Sequence, residues 1–234
     1  MLGQGDVVGL LGVYAYVAFV ILLASKLPFV KRSGAQRKFV HIMVGNIVLI
    51  WWVFDSAYVM AFLAAAPFIP LLLLASSRSP VKKVRDSFIG KTTGESHDLG
   101  LVYYAISWTL LAFFLFDNRL VASIAIVGMS YGDGIGGLVG RAYGKKRLLG
   151  KKTLEGTLAV LFATAAATAA VIAFYGFLTS AGLYSGSNIQ PLIAIVLSML
   201  VGLFVSVVEL LTPGQYDNLT IPIGTALLLV LLGV

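Results

Sequence analysis

The chain has 234 residues, of which 59% are hydrophobic and only 12% charged, with a formal net charge of +7. Soluble domains carry roughly 25% charged residues, so this composition, with a mean hydropathy of +0.96, excludes an ordinary soluble domain and points to a single membrane-embedded domain over 1–234. The lack of cysteine excludes disulfides and thiolate chemistry, and basic residues confined to short stretches between apolar runs point to topology and phosphate binding, not nucleic acid.

A helix needs about 20 mostly apolar residues to cross a bilayer. By that measure the chain reads as an all-α, polytopic helix bundle of eight spans: Val7–Ala24, Phe39–Phe54, Ala57–Ala75, Leu99–Phe116, Leu120–Gly136, Gly156–Leu178, Gln190–Leu211 and Leu219–Val234. The second and fifth are short, and the last takes Pro222 into its first turn, where proline is tolerated. Asp6 precedes the first apolar run and the basic residues follow it, the reverse of a cleavable signal.

The connections set the orientation. Residues 25–38 carry Lys26, Lys31, Arg32, Arg37 and Lys38; residues 76–98 carry Arg78, Lys82, Lys83, Arg85 and Lys91; the stretch after the fifth span carries Arg141, Lys145, Lys146, Arg147, Lys151 and Lys152. Sixteen of the seventeen Lys and Arg residues thus fall on one side of an eight-span chain, with Arg119 alone on the other. Positive charge marks the cytoplasmic side, so both termini are expected outside and the loops 25–38, 76–98, 137–155 and 212–218 inside.

Against this background the region 129–157 stands out, with its glycines, its six basic residues and the carboxylates Asp133 and Glu155. Glycine lets backbone N–H groups approach a ligand, lysine offers a mobile cation to phosphate oxygens, and a nearby carboxylate suits Mg²⁺, which keeps substrate phosphates in its shell. The region therefore reads as a polyphosphate-plus-metal site at a membrane surface. Gly128, Gly132, Gly136 and Gly140 are spaced by four, which also serves close helix packing. An ionisable residue in a span, as Asp133 is, is a functional candidate by default. The stretch Gly150-Lys151-Lys152-Thr153 lacks the spacing of a Walker A loop; instead Thr153 is a good N-cap for the sixth span, with Glu155 in its first turn and lysines beside a helix N-terminus.

Three further stretches carry chemistry. Arg37, Lys38 and His41 share one helix face at spacings of three and four, where His41 either serves as a structural hydrogen-bonder or takes part in proton transfer or phosphate binding. Glu95, Ser96, His97 and Asp98 precede Tyr103 and Tyr104, which read as interfacial aromatics. Glu209 and Asp217 fall on the same side as the lysines, in a loop without basic residues, so they either help bring a metal to the cations or, for Asp217 and Asn218, cap the last helix.

Four of these pieces, Arg37-Lys38-x-x-His41, Gly132-Asp133-Gly134, Lys151-Lys152-Thr153-Leu154-Glu155-Gly156-Thr157 and Asp217-Asn218-Leu219-x-x-Pro222, resemble the membrane polyprenol kinases, which include dolichol and phytol kinases. The resemblance spans residues 37–222, and the short chain looks more like the phytol kinase branch. It implies a multi-span enzyme that phosphorylates a long isoprenoid alcohol, with CTP as donor and a divalent metal such as Mg²⁺. The expected roles are Asp133 and Asp217 as metal ligands, one of them taking the hydroxyl proton; Lys151, Lys152, Arg37 and Lys38 on the triphosphate with Gly134 and Thr153; Asn218 and Glu155 orienting metal or nucleotide; and His41 at the reacting centre. A cytidylyltransferase acting on a lipid phosphate would use similar groups on the same face. A small anion transporter would instead place charges deep in several spans.

Overall fold

The structure, a computed structural model, describes residues 2–27, 35–76, 79–85, 99–186 and 188–234. Every regular element among them is helical, and the one backbone bridge, Arg147 to Thr153, is isolated. In chain order these are α1 (Gln4–Lys26), α2 (Gln36–Val44) with 3₁₀ turns Gly45–Leu49 and Trp51–Val53, a π-helical stretch Val59–Ala65, α3 (Phe68–Ala75), α4 (Lys82–Arg85), α5 (Gly100–Phe114), α6 (Arg119–Val127), a π-helical turn Gly128–Asp133, α7 (Gly134–Tyr143), α8 (Leu154–Ser180), α9 (Pro191–Leu211), a 3₁₀ turn Gly214–Tyr216 and α10 (Asp217–Leu231). The chain forms two compact units: 1–116 with 214–219, and 117–213 with 220–234.

Among the described residues four helices are long and apolar enough to cross a membrane: Gln4–Lys26, the continuous run Arg119–Tyr143, Leu154–Ser180 and Pro191–Leu211. The faces of α9 are sorted opposite to those of a soluble helix. On α9 the buried stripe includes Ser198, Gly202, Ser206 and Glu209, while Leu192, Ile195, Val196 and Leu203 are exposed. Small and polar residues inward with large apolar residues outward is the arrangement expected where the surroundings are as apolar as leucine.

In the first unit, α1 buries one stripe, Asp6, Gly9, Val13, Val17, Val20 and Ala24, at helical spacing. Its N-terminal end is clipped by a buried carboxylate. Asp6 accepts the N–H of Gly3 (3.1 Å) through Oδ2 and those of Asp55 (3.1 Å) and Ser56 (3.0 Å) through Oδ1. Further along α1, Tyr16 donates to the carbonyl of Met43 (2.8 Å), tying α1 to α2. The expected second span is not one α-helix. Nine α-helical residues give way at Gly45 to 3₁₀ turns, which rise about 2.0 Å per residue against about 1.5 Å, so a short segment reaches further.

In the second unit α8 packs against α6, the π turn, α7 and α9. The expected fifth span ends at Gly136; in the structure helix continues to Tyr143. Glycine disfavours helix by about 1 kcal/mol, but these glycines let α7 lie against α8: a Cβ on Gly140 would stand 3.2 Å from Thr153 Oγ1, and one on Gly136 3.1 Å from the Gly156 carbonyl oxygen. Packing decides what local propensity opposes.

Helix α10 begins at Asp217, two residues before the expected Leu219, which moves Pro222 out of the first turn and into the helix. Proline has no N–H for the carbonyl four residues back. That carbonyl belongs to Asn218, and it accepts the hydroxyl of Ser107 instead (2.7 Å). Removing that hydroxyl by Ser107→Ala should lower stability by about 1–3 kcal/mol, the cost of a buried acceptor left unmade. Pro222→Ala restores a helical N–H, so thermal unfolding in detergent should show Ser107→Ala costing less in the Pro222→Ala background. Additive losses would show that the proline does not set the need for Ser107.

Candidate active site

The first unit gathers Arg37, Lys38, His41, Asp217 and Asn218. Helix α2 places His41 one turn beyond Arg37, and the imidazole is buried, 4% exposed. It lies against Tyr104 of α5, ring centroids 4.6 Å apart, and the Tyr104 hydroxyl donates to the His41 carbonyl (3.3 Å). The start of α5 is held by Gln215, whose Oε1 accepts the Leu99 N–H (2.9 Å). Gly100 follows, and a Cβ there would stand 2.8 Å from a terminal guanidinium nitrogen of Arg37 and 3.3 Å from Asn218 Nδ2, so a side chain would push the tip of Arg37 aside. Arg37 and Asn218 thus flank the first turn of α5.

Asp217 and Asn218 form a local pair. Asp217 Oδ1 accepts the backbone N–H of Asn218 (2.8 Å) and its Nδ2 (3.1 Å), and Nδ2 also reaches the Gln215 carbonyl (3.4 Å). With the amide nitrogen so committed, Asn218 Oδ1 is left buried and without a partner among the described residues. A buried oxygen without a donor costs free energy, which a cation or a ligand donor would remove.

The second unit holds Asp133, Gly134, Lys151, Lys152, Thr153, Glu155 and Glu209. Asp133 ends the π turn and is 7% exposed; π turns inside α-helices recur at functional sites. Gly134 is buried within the continuous helical run and is not at a free helix end. Thr153 caps α8 as expected, its Oγ1 accepting the Gly156 N–H (3.2 Å). Glu155 Oε2 accepts the N–H groups of Lys145 (3.0 Å) and Lys146 (3.4 Å). Leu148 N–H donates to the Lys152 carbonyl (3.0 Å) and Leu154 N–H to that of Lys146 (2.8 Å), closing the basic loop into a hairpin. Lys151 is exposed on it, whereas the Lys152 ammonium pairs with the buried Glu209 carboxylate.

The sequence placed Glu209 on the lysine side, and the structure makes it the partner of one lysine. Tyr104 departs from expectation: it is buried on His41, not at an interface, while Tyr103 stacks on Tyr216 at 5.6 Å. Gly100 and Gln215 were given no role by the sequence; the only trace is that Gly100 and Tyr104 share a helix face four apart. Glu95, Ser96, His97 and Asp98 lie outside the described residues. Among the described residues no three of His, Asp and Glu gather into an all-protein metal cage. Mg²⁺ is commonly held by one or two carboxylates together with substrate phosphates, and in the first unit the Asp217 carboxylate with the orphan Asn218 Oδ1 fits that sparser donor set; in the second unit Asp133 offers one buried carboxylate.

Buried carboxylates, amide oxygen and cations on an apolar helical scaffold suit transfer of a phosphoryl group to a lipid alcohol. Comparison with known proteins agrees. The chain is 32% identical to a phytol kinase of Synechocystis over 222 residues, 91% of this chain and 86% of that protein. It is 25% identical to the chloroplastic phytol kinase 1 of Arabidopsis thaliana, covering 84% of this chain and 66% of that one, and 27% identical to a probable chloroplastic phytol kinase of Triticum aestivum, covering 94% and 74%. No family model matches, and no solved structure does. The chain is a phosphotransferase acting on an alcohol, and it belongs to the polyprenol kinase family, among the phytol kinases.

The Glu155 clip has a direct readout. Its carboxylate holds the two amides directly, so Glu155→Ala should speed hydrogen exchange at Lys145 and, through the longer bond, at Lys146. The Leu154 amide, held by a backbone carbonyl, should change less. Unchanged exchange at Lys145 would mean the carboxylate does not hold the loop.

Proposed function

We propose that this protein transfers the γ-phosphoryl group of CTP to the hydroxyl of a long isoprenoid alcohol of the phytol, geranylgeraniol or dolichol class. The reaction takes place at the cytoplasmic face of a membrane that the chain crosses eight times, N-terminus outside. The observation that carries the reading is the buried Asp217–Asn218 pair with its orphan oxygen beside Arg37, in a chain related over nine-tenths of its length to a phytol kinase.

Phosphoryl transfer needs positioning and charge neutralisation more than covalent help. In this reading the first unit supplies the alcohol-side groups. His41 positions the hydroxyl, and Arg37 and Lys38 neutralise phosphate charge. As the alcohol oxygen bonds to the γ-phosphorus, the bond to the β-phosphate oxygen breaks, CDP leaves, and the hydroxyl proton passes to a carboxylate, Asp217 or Asp133. The second unit supplies the phosphate-side groups: Lys151 from the exposed hairpin, Lys152 held by Glu209, and Gly134, Thr153 and Glu155 shaping the loop and helix start. Asp217, with Asn218 Oδ1 beside it in the first unit, and Asp133 in the second are the groups that would bind Mg²⁺, which when bound supplies charge neutralisation on the transferring phosphoryl group. Membrane lipids form the surroundings of the bundle and the route by which the alcohol arrives.

The test is purified protein in detergent with Mg²⁺, each nucleoside triphosphate and a panel of prenols. Prenyl phosphate and CDP are expected; release of pyrophosphate would overturn the kinase reading. Asp133→Asn should lower turnover roughly 100-fold or more, and Lys151→Ala should weaken nucleotide use about 10- to 150-fold. Lys82→Ala and Lys83→Ala, both exposed residues at the start of α4, should change little. Equal small effects at all these lysines would reduce the hairpin to a topological anchor.

Orientation is tested separately, and the absence of native cysteine makes the experiment clean. A cysteine at the exposed Ser185 should react with an impermeant reagent from outside the cell, and one at the exposed Lys146 should not. The reverse pattern would put the basic hairpin away from cytoplasmic nucleotide.

A further inference from the structure

The first unit contains a cavity of about 790 Å³ when the open space at its mouth is included. Its wall is aliphatic and aromatic; the lining residues that carry a polar side-chain atom are His41, Tyr104 and Trp108. A water-soluble ligand would lose its hydration there without compensation. A molecule with one polar end and a long apolar body would not.

The helix register gives the cavity a direction. On α5, Gly100, Tyr104 and Trp108 follow one another at successive turns, about 12 Å from first to last at about 1.5 Å per residue. Gly100 faces Arg37 and Asn218, Tyr104 faces His41, and Trp108 packs edge-on against Trp51, ring centroids 5.5 Å apart. Arg37 and Asn218 therefore stand one turn along α5 from Tyr104 and His41, which line the cavity, and the wall toward Trp108 is apolar. The mouth is apolar as well: Leu71 lines the cavity yet is 39% exposed, on a helix whose Leu73 and Leu74 are exposed too. An occupant enters from a lipid-like surrounding. Two small residues, Ala65 and Ala105, are buried in the wall, and the space beside them is what a larger side chain would take away.

We propose that this cavity seats the isoprenyl tail of the alcohol, with the hydroxyl at the His41 end and the tail running down α5 toward Trp108, and that Ala65 and Ala105 set the length of tail accepted. The proposal rests on the kinase reading above and adds to it where the tail lies and which residues select it.

Ala105→Phe and Ala65→Phe fill the cavity from different elements. Discrimination by an apolar pocket changes about 10- to 200-fold for one methylene. In each variant the ratio of kcat/KM for geranylgeraniol to that for a single-isoprene-unit prenol should therefore fall at least about tenfold, with the nucleotide KM little changed. An unchanged ratio in a variant that elutes and melts like the parent overturns the cavity assignment. A second measurement does not depend on turnover: geranylgeraniol bearing a diazirine at its tail end is photolysed on the unaltered protein. Label on the α5 peptide that contains Ala105 and Trp108, competed by phytol, supports the assignment. Label on the helices of the second unit, or label competed by phospholipid and not by phytol, overturns it. If the unaltered protein phosphorylates no prenol, the kinase reading fails, and the labelling still decides what the cavity holds.

Discussion

Buried polar groups in an apolar bundle find their partners within the protein, and the structure depends on how they do so. Asp6 takes backbone N–H groups from its own helix start and from residues 55 and 56. The Asn218 carbonyl, which Pro222 cannot serve, takes Ser107. Glu209 takes Lys152. Ser130 and Ser198 return their hydroxyls to carbonyls four residues back, Ile126 and Ala194. Once these groups are paired, each helix can turn its leucines, valines and phenylalanines outward. The same requirement leaves a cost wherever a buried oxygen has no partner, as at Asn218 Oδ1.

The helices were legible because hydropathy alone sets where apolar segments begin and end. Each of the eight expected segments coincides with helical structure, though four are long enough by themselves to cross a membrane. What local rules missed was decided by packing. Helix continues past Gly136 to Tyr143 because α8 offers a surface that only glycine can approach. The segment after Gly45 tightens to 3₁₀, and Val59–Ala65 loosens to π; neither has a sequence period of its own. Thr153 was legible for the opposite reason, since an N-cap depends on a side chain and the N–H groups just after it.

At the candidate site, residue type carried the information and geometry did not. Arg37 and His41 were placed on one helix face by spacing, and the structure puts His41 there, buried. No local pattern signals that Tyr104 covers His41, that Gly100 makes room for Arg37 and Asn218, or that Gln215 holds the start of α5 from more than a hundred residues away. Such contacts come from separate helices and leave no periodicity to read. The two π-helical stretches are a shared signature after the fact: one ends at Asp133, the other at Ala65 in the cavity wall.

The Asp6 clip bears on how the chain is built. Ribosomes deliver Asp6 some fifty residues before Asp55 and Ser56, so for that interval the carboxylate has a single donor, Gly3, from the set it will finally hold. The first helix therefore gains its full complement of bonds only when the second segment has been made and has folded back alongside it. In biogenesis the first two segments behave as one hairpin, and the first lodges stably in the company of the second.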